Sequence, residues 1–186
     1  MRRVLTLTLM LSLSLSLLGC GGKAQTAPAA LAVGAPAPAI TLSNLDGKSI
    51  DLATLQAQGP LAYIQLRGWV GYQCPLCTKQ VGDVLSHAKD FEAAGAQVVL
   101  AYPGPAAEID ARASEFIAGK DFPANIHFLL DPDLTAVNAL GLRWDAPKET
   151  AYPAALIFRD GKITYSNISS SHGGRAGADE LLHALK

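Results

Sequence analysis

The chain has 186 residues, of which 49% are hydrophobic, with 15 basic and 16 acidic side chains for a net charge of −1. That length supports one domain with a proper core, and the near balance of charge with no basic patch excludes the electrostatic footprint of a nucleic-acid binder. Three cysteines are too few to staple a secreted scaffold, so a close pair among them reads as chemical rather than architectural.

The first residues have the form of a processing signal. Arg2 and Arg3 supply a charged start, and Val4 to Leu18 is an apolar, Leu/Ser-rich run too short for a comfortable transmembrane helix. Residues 1–19 are therefore expected to be a signal peptide. The stretch Gly21 to Pro38 is rich in Gly, Ala and Pro and lacks apolar periodicity. It reads as a flexible tether over residues 20–38, with a reach of roughly 20–25 Å, ahead of a domain over 39–186.

From Ile40 the pattern becomes regular. Ile40-Thr41-Leu42 and Ser49-Ile50-Asp51-Leu52 flank the turn Asn44-Leu45-Asp46-Gly47, which predicts a hairpin. Leu61 to Leu66 is a buried strand. A helix is predicted from about Pro75 to Ala94, with Val81, Val84, Leu85, Ala88 and Phe91 at helical spacing and Gly95 as its stop. Gln97 to Ala101 is a second buried strand, followed by a helix that places Ile109, Ala113, Phe116 and Ile117 on one side. Ile126 to Leu130 is a third strand, and Asp131-Pro132-Asp133 opens a short helix. Residues 154–158 and 162–165 form a hairpin about Asp160-Gly161, and Ala178 to Leu185 closes the chain as an amphipathic helix. This alternation indicates an α/β sandwich with a mixed sheet flanked by helices.

The chemistry concentrates in Arg67-Gly68-Trp69-Val70-Gly71-Tyr72-Gln73-Cys74-Pro75-Leu76-Cys77. Two cysteines three residues apart at a helix start lie on one face, one turn apart. The first helical turn offers free N–H groups and a positive dipole end, and both favour a thiolate. Pro75 suits the first helical position, which needs no donor. Cys74, nearest the helix start, is the candidate nucleophile, and Cys77, a turn deeper, the candidate resolving thiol. An inert structural pair is the plain alternative. A zinc site needs further ligands, and no second Cys-x-x-Cys exists, so no metal or other cofactor is assigned.

With these residues in view, the chain resembles the thioredoxin-fold superfamily, and within it the redoxin branch of alkyl hydroperoxide reductase/thiol-specific antioxidant and peroxiredoxin-like proteins. The resemblance covers about Val33 to Lys186. It rests on the Leu42…Asp46-Gly47…Leu52 hairpin, the strand–Cys-Pro-Leu-Cys–helix unit, Tyr152-Pro153 before a strand, and the hairpin Phe158-Arg159-Asp160-Gly161-Lys162-Ile163. It implies a thioredoxin-like sandwich with an N-terminal β-hairpin, and a cis Pro153 lying against the dithiol. Two departures stand out: Trp69 is separated from Cys74 by four residues, and Gly71 and Arg67 stand where peroxiredoxins carry a hydroxyl residue and a proline. Leu17-Leu18-Gly19-Cys20 resembles a bacterial lipobox, which implies cleavage before Cys20, its acylation, and anchoring to a bilayer in the cell envelope on the periplasmic side. Gly21 in place of an Asp leans toward the outer membrane.

Thiol–disulfide oxidoreductase chemistry on a Cys74/Cys77 dithiol is the first functional expectation, and peroxidase chemistry at Cys74 the second. A non-catalytic or metal-chaperone module is the third. The partners are a disulfide-bearing protein or a hydroperoxide, and a thiol electron donor. Tyr152 and Pro153 are candidates for substrate contact through the Tyr152 backbone, or form an ordinary strand entry. Trp69 and Tyr72 are candidates for an apolar rim, and Trp69 equally for filling the strand's core end. Arg67 is a candidate to polarise a peroxide or favour the thiolate, the commoner case being a solvated strand-end arginine. His87 reads as a surface histidine, His172 as part of a flexible loop, and Asn167-Ile168-Ser169 as a chance sequon.

Overall fold

The computed structural model describes residues 31–186, so the expected signal peptide and Cys20 lie outside the described residues. A seven-stranded mixed sheet forms the centre, in the order β2-β1-β5-β4-β3-β6-β7. The strands are β1 (Thr41–Ser43), β2 (Ser49–Asp51), β3 (Leu61–Gln65), β4 (Gln97–Gly104), β5 (Ile126–Pro132), β6 (Ala154–Arg159) and β7 (Lys162–Ile168). β3, β4 and β5 run parallel, and β6 pairs antiparallel with β3. Every residue of β3 is buried, as a strand covered on both faces requires.

The pleat sorts the core into two layers. Ala62, Ile64, Val98, Leu100 and Tyr102 face one layer, closed by α2 (Pro75–Ser86), α3 (Ala88–Ala93), α4 (Ile109–Ile117) and α6 (Ala178–Ala184). Leu61, Tyr63, Val99 and Ala101 face the other, closed by α1 (Leu52–Gln56) and α5 (Thr135–Ala139).

Four departures from the sequence reading bear on the layout of the helices and the N-terminal segment. The long helix expected over 75–94 breaks at His87. There the Ser86 hydroxyl donates to the Asp83 carbonyl at 2.7 Å and the His87 ring nitrogen lies 2.9 Å from the same oxygen. The His87 N–H bonds instead to Val84 at the tighter i−3 spacing. α1 was not foreseen; Asp51 caps it, accepting from the Ala53 N–H at 2.9 Å. The helix start at Asp131 moves three to four residues on. β5 continues to Pro132, and buried Asp131 reaches forward to accept from the Ala136 and Val137 N–H groups at 2.8 and 3.0 Å. Finally, residues 31–37 are not tether. Leu31 is buried in the second core layer, and Gly34 and Ala37 donate backbone bonds to Ile163 and Gly161.

Candidate active site

β3 delivers the chain to the edge where the site is built. Leu66 still bonds to Ala101 of β4, and Trp69 bonds to the Pro103 carbonyl at 2.9 Å. Between them Gly68 takes φ +69°, with Pro103 so close that a Cβ would sit 1.9 Å from its carbonyl oxygen. Only glycine meets both demands. Gln73 then ties the loop to the β4–α4 side: it accepts from the Tyr102 hydroxyl and donates to the Arg112 carbonyl, each at 2.8 Å.

Cys74 emerges as the N-cap of α2, with extended backbone (φ −78°, ψ 112°) and Pro75 at the first helical position. Its sulfur accepts the Cys77 N–H at 3.4 Å, an orphan donor of the first turn. Cys77 is fully buried, and its sulfur accepts the Arg67 N–H at 3.3 Å. Both thiols are free. The Cys77 thiol donates to Cys74 and, against the cost of burial, helped by the Cys77 N–H, Arg175 and Arg67, lowers the Cys74 pKa to about 5. The same hydrogen bond, reinforced by burial, pushes Cys77 far up. The pair is therefore asymmetric: Cys74 is the more acidic thiol and Cys77 the one that holds its proton more tightly.

Two arginines frame the pair. Arg175, from the loop ahead of α6, places Nη1 3.5 Å from the Cys77 sulfur and Nη2 3.8 Å from the Cys74 sulfur. It is held by Gln80 of α2 at 3.0 Å and by the His172 carbonyl at 2.8 Å. Arg67 is not the solvated residue its strand-end position suggested, being 1% exposed. Its Nε donates to Glu149 at 2.5 Å, its Nη2 to the Lys148 carbonyl, and its guanidinium lies over the Tyr72 ring at 4.6 Å. Burial works against the Arg67 charge, but the Glu149 hydrogen bond and charge outweigh it, so its pKa rises. Burial likewise works against the Glu149 carboxylate, and bonds from Arg67 and His172 overcome it, holding Glu149 below its usual range.

The remaining sequence candidates divide. Tyr72 covers Arg67 and stays 43% exposed two residues before Cys74. Trp69 is partly buried against the first core layer, with the Arg112 guanidinium over its ring at 4.3 Å, so it fills the strand's core end. The Tyr152–Pro153 bond is trans, since no cis peptide occurs among the described residues; the cis form that the resemblance implied is thus corrected. The segment is held extended on both sides, the Tyr152 N–H donating to Leu142 and the Ser169 N–H to Pro153, each at 2.9 Å. With its N–H spent, Tyr152 cannot offer that group to a substrate strand; its ring stacks on Trp144 at 4.7 Å. His172 is tied down rather than loose, 2.9 Å from Glu149 and packed on Trp144. His87 sits on the surface of the helical layer beside Asp83 and Asp179. Among the described residues no cluster of three or more His, Cys, Asp or Glu side chains could hold a metal.

Arg175, Glu149 and Gln80 are the site residues that sequence reasoning missed. Arg175 is the one cation in the Ser/Gly-rich run Ser169 to Gly177, and that isolation before a helix was the available signal. Beside them a groove of about 330 Å3 runs between α2 and this loop, lined by Leu76, Lys79, Gln80, Asp83 and residues 172–177.

The Redoxin family model matches residues 32–182. The chain belongs to the Redoxin family. This redoxin shares its fold with several solved structures. Reduced Prx3 of Vibrio vulnificus in complex with H2O2 superposes with a TM-score of 0.67 at 22% identity, over 83% of this chain and 99% of that one. Peroxidoxin BcpB of Mycobacterium tuberculosis gives 0.65 at 20% identity, over 82% and 95%. A Chlorobium tepidum protein assigned as a thiol:disulfide interchange protein DsbE gives 0.59 at 21%, over 84% and 99%. A search of curated proteins by sequence finds no match. The family and the paired thiols make the chain a thiol-dependent oxidoreductase or peroxidase.

Proposed function

We propose that this redoxin is a thiol–disulfide oxidoreductase anchored by an acylated Cys20 on the periplasmic face of a bacterial membrane, the outer membrane in preference to the inner. The observation that carries the chemistry is the asymmetry of the dithiol: Cys74 at the helix N-cap, its sulfur receiving the Cys77 N–H and facing Arg175. The anchor rests on the lipobox-like Leu17-Leu18-Gly19-Cys20 alone.

The Cys74 thiolate attacks one sulfur of a substrate disulfide. A Cys74–substrate bond forms, the substrate S–S bond breaks, and the other substrate sulfur leaves as thiolate. Cys77 then loses its proton and attacks Cys74. The Cys74–Cys77 disulfide closes and the second substrate thiolate departs, the substrate having gained two electrons. A thiol donor restores the reduced pair. Arg175, whose two terminal nitrogens face the two sulfurs, stays within reach of whichever sulfur carries the charge.

A second reading is a hydroperoxide reductase, in which the Cys74 thiolate attacks one peroxide oxygen, the O–O bond breaks and an alcohol or water leaves, and Cys77 then displaces water from the Cys74 sulfenic acid to close the disulfide. Arg175 and the unpartnered Nη1 of Arg67 favour it, because guanidinium groups near Cys74, a residue only 5% exposed, offer a small oxidant hydrogen-bond donors that a hydroxyl at Gly71 would otherwise provide. Stopped-flow oxidation of the reduced domain by hydrogen peroxide and by a small disulfide, at matched concentration and pH, separates the two. Faster disulfide exchange is expected. Much faster peroxide reduction, lost in Arg67→Ala, replaces the first reading with the second. For the anchor, metabolic labelling with a fatty acid is expected to mark the wild-type chain and not Cys20→Ser.

A further inference from the structure

Arg67 is buried and almost fully spent. Nε is taken by Glu149 and Nη2 by the Lys148 carbonyl, so two adjacent residues of one loop fix the plane of the guanidinium. Nη1 is left buried and without an acceptor, a costly state for a charged group unless something holds it there. The Tyr72 ring packs on the guanidinium face. Glu149 is itself held from the opposite side by the His172 ring nitrogen, and its side chain is only 11% exposed. The Thr150 hydroxyl, next in sequence, donates to the Arg67 carbonyl. The 148–150 segment therefore grips Arg67 at both its backbone and its head, and Arg67 in turn donates its N–H to the Cys77 sulfur.

We propose that Glu149 is a positioning residue for the dithiol: it fixes the guanidinium of Arg67, whose backbone N–H meets the Cys77 sulfur, and neutralises part of its charge, and so sets how strongly Arg67 favours a thiolate in the pair. This rests on the reading of Cys74 as the reactive thiol. The two effects of Glu149 have opposite signs. Fixing Arg67 keeps a cation near Cys74. The carboxylate's own charge subtracts from that cation's field. A purely structural residue has no such split.

Two substitutions at the one position pull the effects apart. Glu149→Gln keeps an acceptor for the Arg67 Nε and removes the negative charge. The pH midpoint of Cys74 alkylation by iodoacetamide, followed by peptide mapping, is expected to fall by about half a unit. Glu149→Ala removes that anchor as well, leaving the guanidinium only the Lys148 carbonyl and the Tyr72 ring, so that it shifts away from the dithiol. The midpoint is expected to rise by a similar amount. Shifts of the same sign, or no shift in either variant, overturn the proposal. Should Glu149→Ala fail to fold, Glu149→Gln is compared with and without Arg67→Met. The downward shift is expected to vanish once Arg67 is gone, and its persistence shows that Glu149 does not act through Arg67. Alkylation needs no substrate of the enzyme, so these results stand apart from whether the protein prefers disulfides or peroxides.

Discussion

Replacing Arg175 by Met removes a cation from beside Cys74, the proposed nucleophile. Its Nη2 lies 3.8 Å from the Cys74 sulfur. A unit charge pair near that distance is worth about 4 kcal/mol at an effective dielectric of roughly 20 and about 1 kcal/mol in water. Arg175 is partly open to solvent, which favours the lower end, and about one pKa unit, roughly 1.4 kcal/mol, is the working figure. Cys74 should then titrate about one unit above its value of about 5. The rate of reaction with a disulfide responds in two ways. Thiolate is lost at acidic pH, but each remaining thiolate is about threefold more nucleophilic for a one-unit rise in pKa. At neutral pH nearly all Cys74 stays ionised, so the variant should react about threefold faster than wild type. About one unit below the wild-type midpoint, the roughly tenfold loss of thiolate dominates and the variant should react about threefold slower. The two rate profiles must cross. Release of a chromogenic thiol from a small disulfide, read across the pH range, measures this directly, and Arg175→Lys should keep the wild-type midpoint. Parallel profiles that never cross, or an Arg175→Met midpoint identical to wild type, refute the assignment of Arg175 to thiolate stabilisation.

Cys77→Ser should accumulate a mixed disulfide with substrate, because Cys74 still attacks and nothing one turn away resolves it. Cys74→Ser should accumulate none; non-reducing electrophoresis after mixing with an oxidised protein distinguishes them. Gly68→Ala forces a side chain into a left-handed backbone with its Cβ 1.9 Å from the Pro103 carbonyl oxygen. The cost should reach about 3 kcal/mol, a fall in melting temperature of roughly 6–12 °C for a domain of this size, and an unchanged thermal transition would mean the loop relaxes freely.

What the sequence disclosed follows the range of its interactions. β3 and β4 are legible because their apolar runs are local and their burial is near complete, and the helix opening at Pro75 because its buried positions Cys77, Val81 and Val84 recur at helical spacing. Cys74 and Cys77 are legible because helix geometry alone places residues three apart on one face. Arg175 and Glu149 carry no such local mark. Arg175 lies 101 positions from Cys74 and Glu149 lies 82 from Arg67, and only the pairing of β6 with β3 and of β7 with β6 brings their loops to the dithiol. The burial of Arg67, a candidate site residue in the sequence, is hidden for the same reason: a strand-end arginine is solvated unless a distant carboxylate comes to meet it. The break at His87 is a different kind of miss. Apolar spacing continues through it, and the hydrogen-bonding side chains of Ser86 and His87 interrupt the backbone ladder without disturbing the stripe.

Under the proposed mechanism, the asymmetry of the dithiol also orders the two steps in time. The chief cause of the very high pKa of Cys77 is the hydrogen bond it gives to Cys74, with burial second. That bond is strongest while Cys74 is a thiolate. Once Cys74 joins a mixed disulfide, its sulfur carries no charge to hold the Cys77 proton. The groups that favour a Cys77 thiolate remain: the Arg175 charge, with Nη1 3.5 Å away, and the Arg67 N–H at 3.3 Å. Cys77 is therefore held protonated until the first attack and becomes easier to ionise because of it. A buried resolving thiol that is inert in the resting protein is protected from stray oxidants, which react with thiolates. Arg175 serves both halves of this sequence because it spans the two sulfurs.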